Sequence, residues 1–131
     1  MIGLDTNILL RFFLDDDPTQ SPKARLIIGS LNAGKPGWIG VATILEIVWV
    51  MKRKKPSGRE EISNIIEQLI ADDAIVVEHP ALVAAAVQRF RSTKAEFADC
   101  LIAASARVAG CERMLTFDEI AARDAGMELI T

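Results

Sequence analysis

Short strand-like runs alternate with helix-like runs along the whole chain, and this alternation limits the possible folds more than any other feature. The strand-like runs are short and apolar, and they read MIGLD, PGWIGV, AIVVE, RMLTF and MELIT. The longer segments between them carry apolar residues at spacings of three and four, which is typical of helices with one buried face. Alternation of this kind predicts an α/β fold with an open, mainly parallel sheet and helices on both of its faces.

Capping residues and glycines predict several helix boundaries. Ser21, which precedes a proline, is typical of an N-cap, and the helix after it is predicted to end near Gly34. Two pairs with the S/T-x-x-E spacing of a capping box are predicted to begin later helices: Ser57 with Glu60, and Thr93 with Glu96.

Length and composition predict one domain over residues 1–131. The chain has 131 residues, half of them hydrophobic, which is enough to bury a core but leaves no room for a second domain of ordinary size. No apolar run approaches the roughly 20 residues that cross a bilayer, and no secretory signal is apparent. Cys100 lies in an apolar helical pattern, which indicates a buried thiol. We therefore expect a cytoplasmic protein with no membrane contact.

Four acidic residues stand where ligands bind in folds of this class. Asp5 follows the first strand and Asp118 follows the fourth, while Glu46 and Asp99 lie early in two helices. Ligands of open α/β sheets bind outside the carboxyl ends of the strands. If the fold gathers these carboxylates, either their pKa values rise or a divalent cation neutralises them. An all-oxygen site suits Mg²⁺ or Mn²⁺, which can activate water to hydrolyse a phosphodiester.

Each of these acids also has a structural interpretation. Glu46 follows Thr43 by three residues and could complete a capping box, and Asp118 and Asp5 could each cap the next helix. Asp99 is harder to explain in this way, because it interrupts the apolar stretch FADCLIAA, where an unpaired carboxylate is costly. The alternative function is therefore a non-catalytic α/β regulatory or binding module whose acids only cap helices.

Basic and aromatic residues allow two interpretations. The net charge of −3 argues against general binding to nucleic acid, although a local basic patch is still compatible with a nuclease. Trp38 and Trp49 could stack on bases or serve in the core or an interface. The cations that could guide RNA, or could simply be solvated, are Arg11, Lys52, Arg53, Lys54 and Lys55, with Arg91 and Lys94 as further candidates.

Four stretches of the chain together resemble one known family. They read LDTNILLRFFLDDDPTQSPKA, ATILEIVWVM, FADCLIAASARVAGC and LTFDEIAARDAGMELI. This sequence resembles the PIN-domain ribonucleases, and among them the VapC-type toxins of bacterial toxin–antitoxin pairs. The resemblance runs from the first residue to the last and is most specific in the opening stretch and in FADCLIAA.

The resemblance implies a fold, an activity and a set of site residues. The implied fold is a three-layer α/β/α sandwich with a short parallel sheet, and the implied activity is cleavage of transfer or ribosomal RNA with Mg²⁺ or Mn²⁺. It implies Asp5, Asp99 and Asp118 as metal ligands and Glu46 as a further ligand or supporting acid. Asn7, Thr116 and Glu96 are implied as supporting residues. The implied partners are a cognate antitoxin protein and a second copy of the chain.

Two other functions compete with this interpretation. A receiver domain, as a regulatory α/β module, would need a lysine after a late strand, but Thr116 is followed by Phe117. A PIN-fold nuclease acting on structured DNA would need extra elements for which the chain is short. Cleavage by a pair of histidines is excluded within one subunit, because His79 is the only histidine.

Overall fold

A computed structural model describes residues 1–56 and 58–131. The capping box predicted at Ser57 therefore lies outside the described residues. The strands are β1 (Ile2–Gly3), β2 (Gly37–Ile39), β3 (Ile75–Val77), β4 (Leu115–Thr116) and β5 (Glu128–Leu129). The helices are α1 (Thr6–Leu14), α2 (Gln20–Gly29), α3 (Val41–Lys54), α4 (Arg59–Ala71), α5 (Pro80–Ser92), α6 (Phe97–Val108) and α7 (Glu119–Asp124).

The strands are short and pair in parallel. β2 lies between β1 and β3, with Ile2 opposite Gly37 and Trp38 opposite Val76. β4 and β5 form a second parallel pair, in which Thr116 lies opposite Leu129. Parallel neighbours require a crossover, and helices supply it between successive strands. The α/β class, the short parallel sheet and the three-layer arrangement predicted from the sequence are confirmed.

Apolar faces of the helices and strands form one continuous core. Ile39 of β2 and both Ile44 and Ile47 of α3 are fully buried, which is why α3 follows β2 so closely. Phe90 of α5 packs edge-to-face on Phe97 of α6, with ring centroids 5.7 Å apart. Each such side chain contributes about 1.5–3 kcal/mol by leaving water. The core therefore positions the beginnings of α3 and α6, from which two of the predicted acids project.

The predicted buried thiol is confirmed. Cys100 lies on α6 with 1% of its surface exposed, while Cys111 is exposed. Burial raises the pKa of the Cys100 thiol to about 11, so that it stays protonated near neutral pH. Cys100 therefore acts as a small core residue.

The predicted start of α2 is wrong by a small margin, because the helix begins at Gln20 with Thr19, rather than Ser21, at the N-cap position. The Asp17 carboxylate accepts hydrogen bonds from the backbone N–H groups of Thr19 at 2.9 Å and Gln20 at 2.6 Å. Ser21 instead lies inside the helix, buried, and its hydroxyl donates to the carbonyl oxygen of Arg11 at 2.8 Å. A turn closed by the Asp17 side chain thus precedes the helix, and the hydrogen bond of Ser21 connects α2 to α1.

Two other predicted helix boundaries are also wrong. α2 ends at Gly29 rather than near Gly34, because the Asn32 side chain accepts the backbone N–H of Gly34 at 2.9 Å and forms a turn. The capping box at Thr93 does not form, since α6 begins only at Phe97. The Thr93 hydroxyl instead donates to the carbonyl oxygen of Arg89, at the end of α5, at 2.7 Å.

No helix within the described parts of the chain is both long and apolar enough to span a bilayer.

Replacing Asp17 by alanine should lower the melting temperature at neutral pH. Hydrogen bonds from the backbone of Gln20 and Thr19 lower the pKa of the Asp17 carboxyl. A lowered folded-state pKa gives stability that is present above the ordinary pKa and is lost as pH falls through the folded value. The gap between wild type and Asp17→Ala should therefore close in acid, below about pH 4. Asp73→Ala, at an exposed acid, is the control, and thermal melts against pH are the measurement. Equal effects of both changes at pH 7 would contradict the assignment.

Candidate active site

Asp5 leaves its carboxylate unused by the helix that it precedes. It stands at the N-cap position of α1 with extended backbone, two residues after β1. Its backbone carbonyl accepts the N–H of Ile8 at 3.1 Å, but its side chain makes no capping hydrogen bond. The residue is exposed. The interpretation of Asp5 as a side-chain cap is therefore wrong, and the carboxylate is available to a ligand at this end of the strand.

Glu46 is also not a capping residue. α3 begins at Val41, so that Thr43 lies inside the helix and cannot act as the N-cap of a box with Glu46. The Glu46 carboxylate instead accepts a hydrogen bond from the hydroxyl of Thr6 at 3.1 Å. Thr6 follows Asp5 directly and is buried, with 7% of its surface exposed. This contact holds the carboxylate of α3 next to the beginning of α1.

Asp99 lies close to two other carboxylates. It occupies the first turn of α6 and is half-buried. Its carboxyl pKa is raised, first by desolvation and then by the negative charges of Asp118 and Glu96. Glu96 stands at the N-cap position of α6, where its side chain makes no capping bond. Asp99 thus lies within electrostatic range of Asp118, an acid from a distant part of the chain.

Asp118 has a structural role in addition to its place in this group. It is the N-cap of α7, and its Oδ1 accepts the backbone N–H of Ala121 at 2.7 Å. The capping interpretation is therefore confirmed for Asp118. Its own N–H donates to the Thr116 hydroxyl at 3.0 Å, which fixes the turn after β4. One carboxylate oxygen is occupied by the cap, and the second is left for another contact.

We name these five acids the acidic edge: Asp5, Glu46, Glu96, Asp99 and Asp118. Within residues 1–56 and 58–131, none of the five forms an ion pair with a basic side chain. Acids on other faces do so, as with Glu61 and Lys55 at 3.2 Å or Glu128 and Arg113 at 2.7 Å. The acidic edge therefore carries negative charge that no side chain of the described chain neutralises by direct contact.

The chemistry of these donors fits a hard divalent cation, although the side chains are not grouped around a single point. The donors are all carboxylate oxygens, the ligand type that Mg²⁺ and Mn²⁺ prefer. In the described ranges, no group of three or more histidine, cysteine or acidic side chains is placed so that it could hold a metal ion. Asp5 is exposed and free of a cap, so its side chain can change rotamer at low cost.

A groove of about 500 Å³ adjoins the acidic edge, between α3 and the beginning of α6. We name it the α3–α6 groove. Glu46 and Glu96 line it at the acidic edge, and Lys52 and Arg53 line it farther along α3. Its remaining lining residues are Leu45, Val48, Trp49, Phe97 and Ala98.

The cations that were predicted as RNA contacts divide between different surfaces. Lys52 and Arg53 line the α3–α6 groove, whereas Lys54 and Lys55 line a separate pocket. Lys55 pairs there with Glu61, and the Lys54 amine lies 3.9 Å from Asp16. The fifth residue of the set, Arg11, donates to Gln20 at 2.8 Å and to Asp16 at 3.4 Å, in contacts that join α1 to the start of α2.

Comparison with known proteins identifies the family of the chain. The PIN domain family model matches residues 2–126 of the chain. This chain belongs to the PIN-domain family. It is also similar to a VapC ribonuclease from Aquifex aeolicus (strain VF5), with 22% identity over 114 residues that cover 87% of this chain and 84% of that protein. The family resemblance predicted from the sequence motifs is confirmed.

Two residues that organise the site of this PIN domain were not predicted. Thr6 holds Glu46, although Asn7, which is exposed, was the neighbour predicted to support the site. Glu78 follows β3, and its carboxylate accepts the N–H of Val41 at 2.9 Å, which satisfies the beginning of α3. The sequence signal available for Thr6 was a polar residue that lies between two apolar runs. No local signal identified Glu78, because its partner lies 37 residues away.

Removing the Thr6 hydroxyl should weaken the attachment of Glu46 to α1 in this PIN domain. Thr6→Val keeps the side-chain shape and deletes one hydrogen bond, so we expect a loss of about 1 kcal/mol in the free energy of unfolding. Thr43→Val makes the same chemical change on α3 in a half-buried residue, and it should change stability by less. Urea denaturation of both variants measures the difference. Unchanged stability of Thr6→Val would show that the contact between Thr6 and Glu46 is not stabilising.

Proposed function

We propose that this PIN domain, spanning residues 1–131, is a metal-dependent endoribonuclease that acts as the toxin of a type II toxin–antitoxin pair. The observation that carries the proposal is the acidic edge, in which five carboxylates lie without basic partners in the described chain. Membership of the PIN-domain family and similarity to a VapC ribonuclease support RNA as the substrate. Transfer or ribosomal RNA is the substrate class that we propose.

We propose that Asp5, Asp99 and Asp118 hold Mg²⁺ or Mn²⁺ and that Glu46 completes the site. When bound, such an ion activates water and stabilises negative charge on a phosphoryl oxygen. The contribution of the chain would be to supply carboxylate oxygens to that ion. Desolvation, and then the negative charges of Asp118 and Glu96, raise the pKa of Asp99, so a cation at this position would favour its ionised form.

Two hydroxyls orient the acids of the proposed site. Thr6 donates to the Glu46 carboxylate, which limits the rotation of that side chain toward solvent. The Thr116 hydroxyl accepts the N–H of Asp118 and fixes the backbone from which that carboxylate projects. Residues that hold ligands in place commonly affect metal affinity or activity about 10- to 100-fold. Thr116 is thus a proposed positioning residue, as is Thr6.

The remaining parts of the proposal concern location and partners. We propose that the protein acts in the cytoplasm, that a cognate antitoxin protein inhibits it, and that it works as a homodimer. The similarity to a VapC ribonuclease supports the antitoxin as a partner.

A non-catalytic module is the second candidate, and the cap formed by Asp118 favours it. The free side chains of Asp5 and Glu96 at their N-cap positions count against it.

Divalent cations should stabilise the wild-type protein and not the Asp99→Asn variant. A ligand that binds only the folded state at 100 times its dissociation constant adds about 2.7 kcal/mol to the free energy of unfolding. In EDTA at neutral pH, Asp99→Asn should melt no lower than wild type. The reason is that a raised folded-state pKa makes the ionised carboxylate unfavourable once pH exceeds its ordinary value. Thermal melts with and without Mn²⁺ are the measurement, with Asp73→Asn as the control. No stabilisation of wild type by Mn²⁺ would favour the capping-only module, and equal stabilisation of all three proteins would refute the role of Asp99 as a ligand.

Asp99→Asn should also lose RNA cleavage while remaining folded. Loss of a ligand should slow cleavage more than about 100-fold, since changes to residues that merely support ligands already reach that size. Cleavage of total cellular RNA with Mn²⁺, followed by sequencing of the new ends, measures both rate and cut site. Asp73→Asn should cut at the wild-type rate. Wild-type cleavage by Asp99→Asn would refute the assignment of the site.

A further inference from the structure

We propose that the α3–α6 groove binds single-stranded RNA next to the acidic edge, with a base stacked on Trp49 and the backbone held by Lys52 and Arg53. This inference rests on the proposed function, because it assigns the groove to the substrate of the same site. The proposed binding surface contains Trp49, Lys52 and Arg53 and does not contain the adjacent Lys54 and Lys55.

Trp49 is presented as a stacking surface. Its indole is 59% exposed on α3, although four residues of the same helix are buried in the core. The Arg53 guanidinium lies over the indole, 4.6 Å from the ring centroid. This cation–π contact restrains the orientation of the exposed indole, against which a second planar group could stack. Every nucleobase has a flat face, so a fixed exposed tryptophan binds single-stranded RNA with little dependence on sequence.

The charges in the groove fit a polyanion that leads to a metal site. Glu46 and Glu96 lie where the groove meets the acidic edge, and the cations lie farther along α3. Glu46 and Arg53 are seven residues apart in one helix, which corresponds to roughly 10 Å along its axis. An RNA strand laid along the groove would thus pass from cations to carboxylates within a few nucleotides. The acids would repel RNA without a cation, so the basic end must supply the attraction.

The four cations at the end of α3 form two pairs that differ in their contacts with acidic side chains. Lys54 and Lys55 face the pocket beside α4, where acids lie 3.9 Å and 3.2 Å from their amines. Lys52 donates to the carbonyl oxygen of Pro56 at 2.9 Å, and Arg53 contacts the Trp49 ring. Neither Lys52 nor Arg53 forms an ion pair with an acid in the described part of the chain. They therefore keep their full charge for phosphate groups.

RNA fits this groove better than an acidic or apolar protein segment. An apolar segment would bury Lys52 and Arg53 without partners, which is costly. An acidic segment could pair with these cations but would meet Glu46 and Glu96 at the other end. A single strand of RNA can stack a base on Trp49 and place phosphates beside both cations. A divalent cation at the acidic edge would remove the repulsion between the phosphates and the carboxylates.

The first test uses tryptophan fluorescence with an oligoadenylate of about eight nucleotides, in EDTA so that no cleavage occurs. The chain has two tryptophans, and Trp38 is half-buried in β2. We expect the oligonucleotide to quench the emission of wild type and of Trp38→Phe, and to leave that of Trp49→Phe unchanged. If Trp38→Phe does not fold, the comparison of wild type with Trp49→Phe decides alone. Equal quenching of wild type and Trp49→Phe would overturn the proposal.

The second test measures affinity by fluorescence anisotropy of the same labelled oligonucleotide. Trp49→Ala should weaken binding roughly 5- to 100-fold, the range expected for one stacked base. The double variant Lys52→Gln/Arg53→Gln should reduce the slope of log affinity against log salt by about 1.4, since each neutralised phosphate contributes about 0.7. Lys54→Gln/Lys55→Gln is the matched control, with the same change in charge, and its slope should equal that of wild type. Equal losses in both double variants would show general electrostatic attraction and overturn the proposal.

The outcomes separate this inference from the proposed function. Normal RNA cleavage by Trp49→Ala, together with unchanged affinity, would overturn the groove assignment and leave the nuclease intact. Quenching at Trp49 by RNA, without cleavage by wild type in Mn²⁺, would support the groove and refute the nuclease. Quenching that grows with protein concentration in the absence of RNA would assign the groove to a second copy of the chain and overturn the proposal.

Discussion

Repulsion between carboxylates at one edge of the structure is the constraint on which the proposed chemistry depends. Folding takes Asp99 partly out of water and brings it within electrostatic range of Asp118 and Glu96, and the raised pKa of Asp99 reflects the energetic cost of that desolvation and repulsion. Ion pairs relieve such repulsion elsewhere on the surface, but not among these acids in the described chain. Packing in the core must therefore offset the cost, and a group of opposite charge would remove it.

Helix α3 shows how one element serves several purposes. One face carries Ile44 and Ile47 into the core, which fixes the helix against the strands. The carboxylate of Glu46 is held by Thr6 at a second face. Trp49 and Arg53 project into the groove near that face, whereas the last two lysines of the basic run turn toward α4. A helix completes a turn every 3.6 residues, so four consecutive cations necessarily point to different surfaces.

Capping explains both the successes and the failures of reasoning about individual residues. Asp118 does cap α7, as its local pattern predicted. Thr43 and Thr93 also match capping patterns, but α3 begins before Thr43 and α6 begins only after Thr93. At α3, Glu78 from the end of β3 supplies the contact that the predicted cap does not make. A local sequence pattern indicates which residues are able to cap a helix, but the tertiary structure decides where the helix begins.

The sequence by itself determined the α/β class, the order of strands and helices, and the family, because hydrophobic periodicity and short motifs are local properties. It also identified every acid of the acidic edge, since Asp5, Glu96, Asp99 and Asp118 lie at or near the starts of helices and Glu46 lies in a motif shared with the family. Only the tertiary structure decided which acids become neighbours, that Thr6 holds Glu46 across 40 residues, and that the basic run divides between two surfaces. The physical reason is that burial of apolar faces sets how the helices are rotated and packed, and this rotation aims each polar side chain at a particular neighbour.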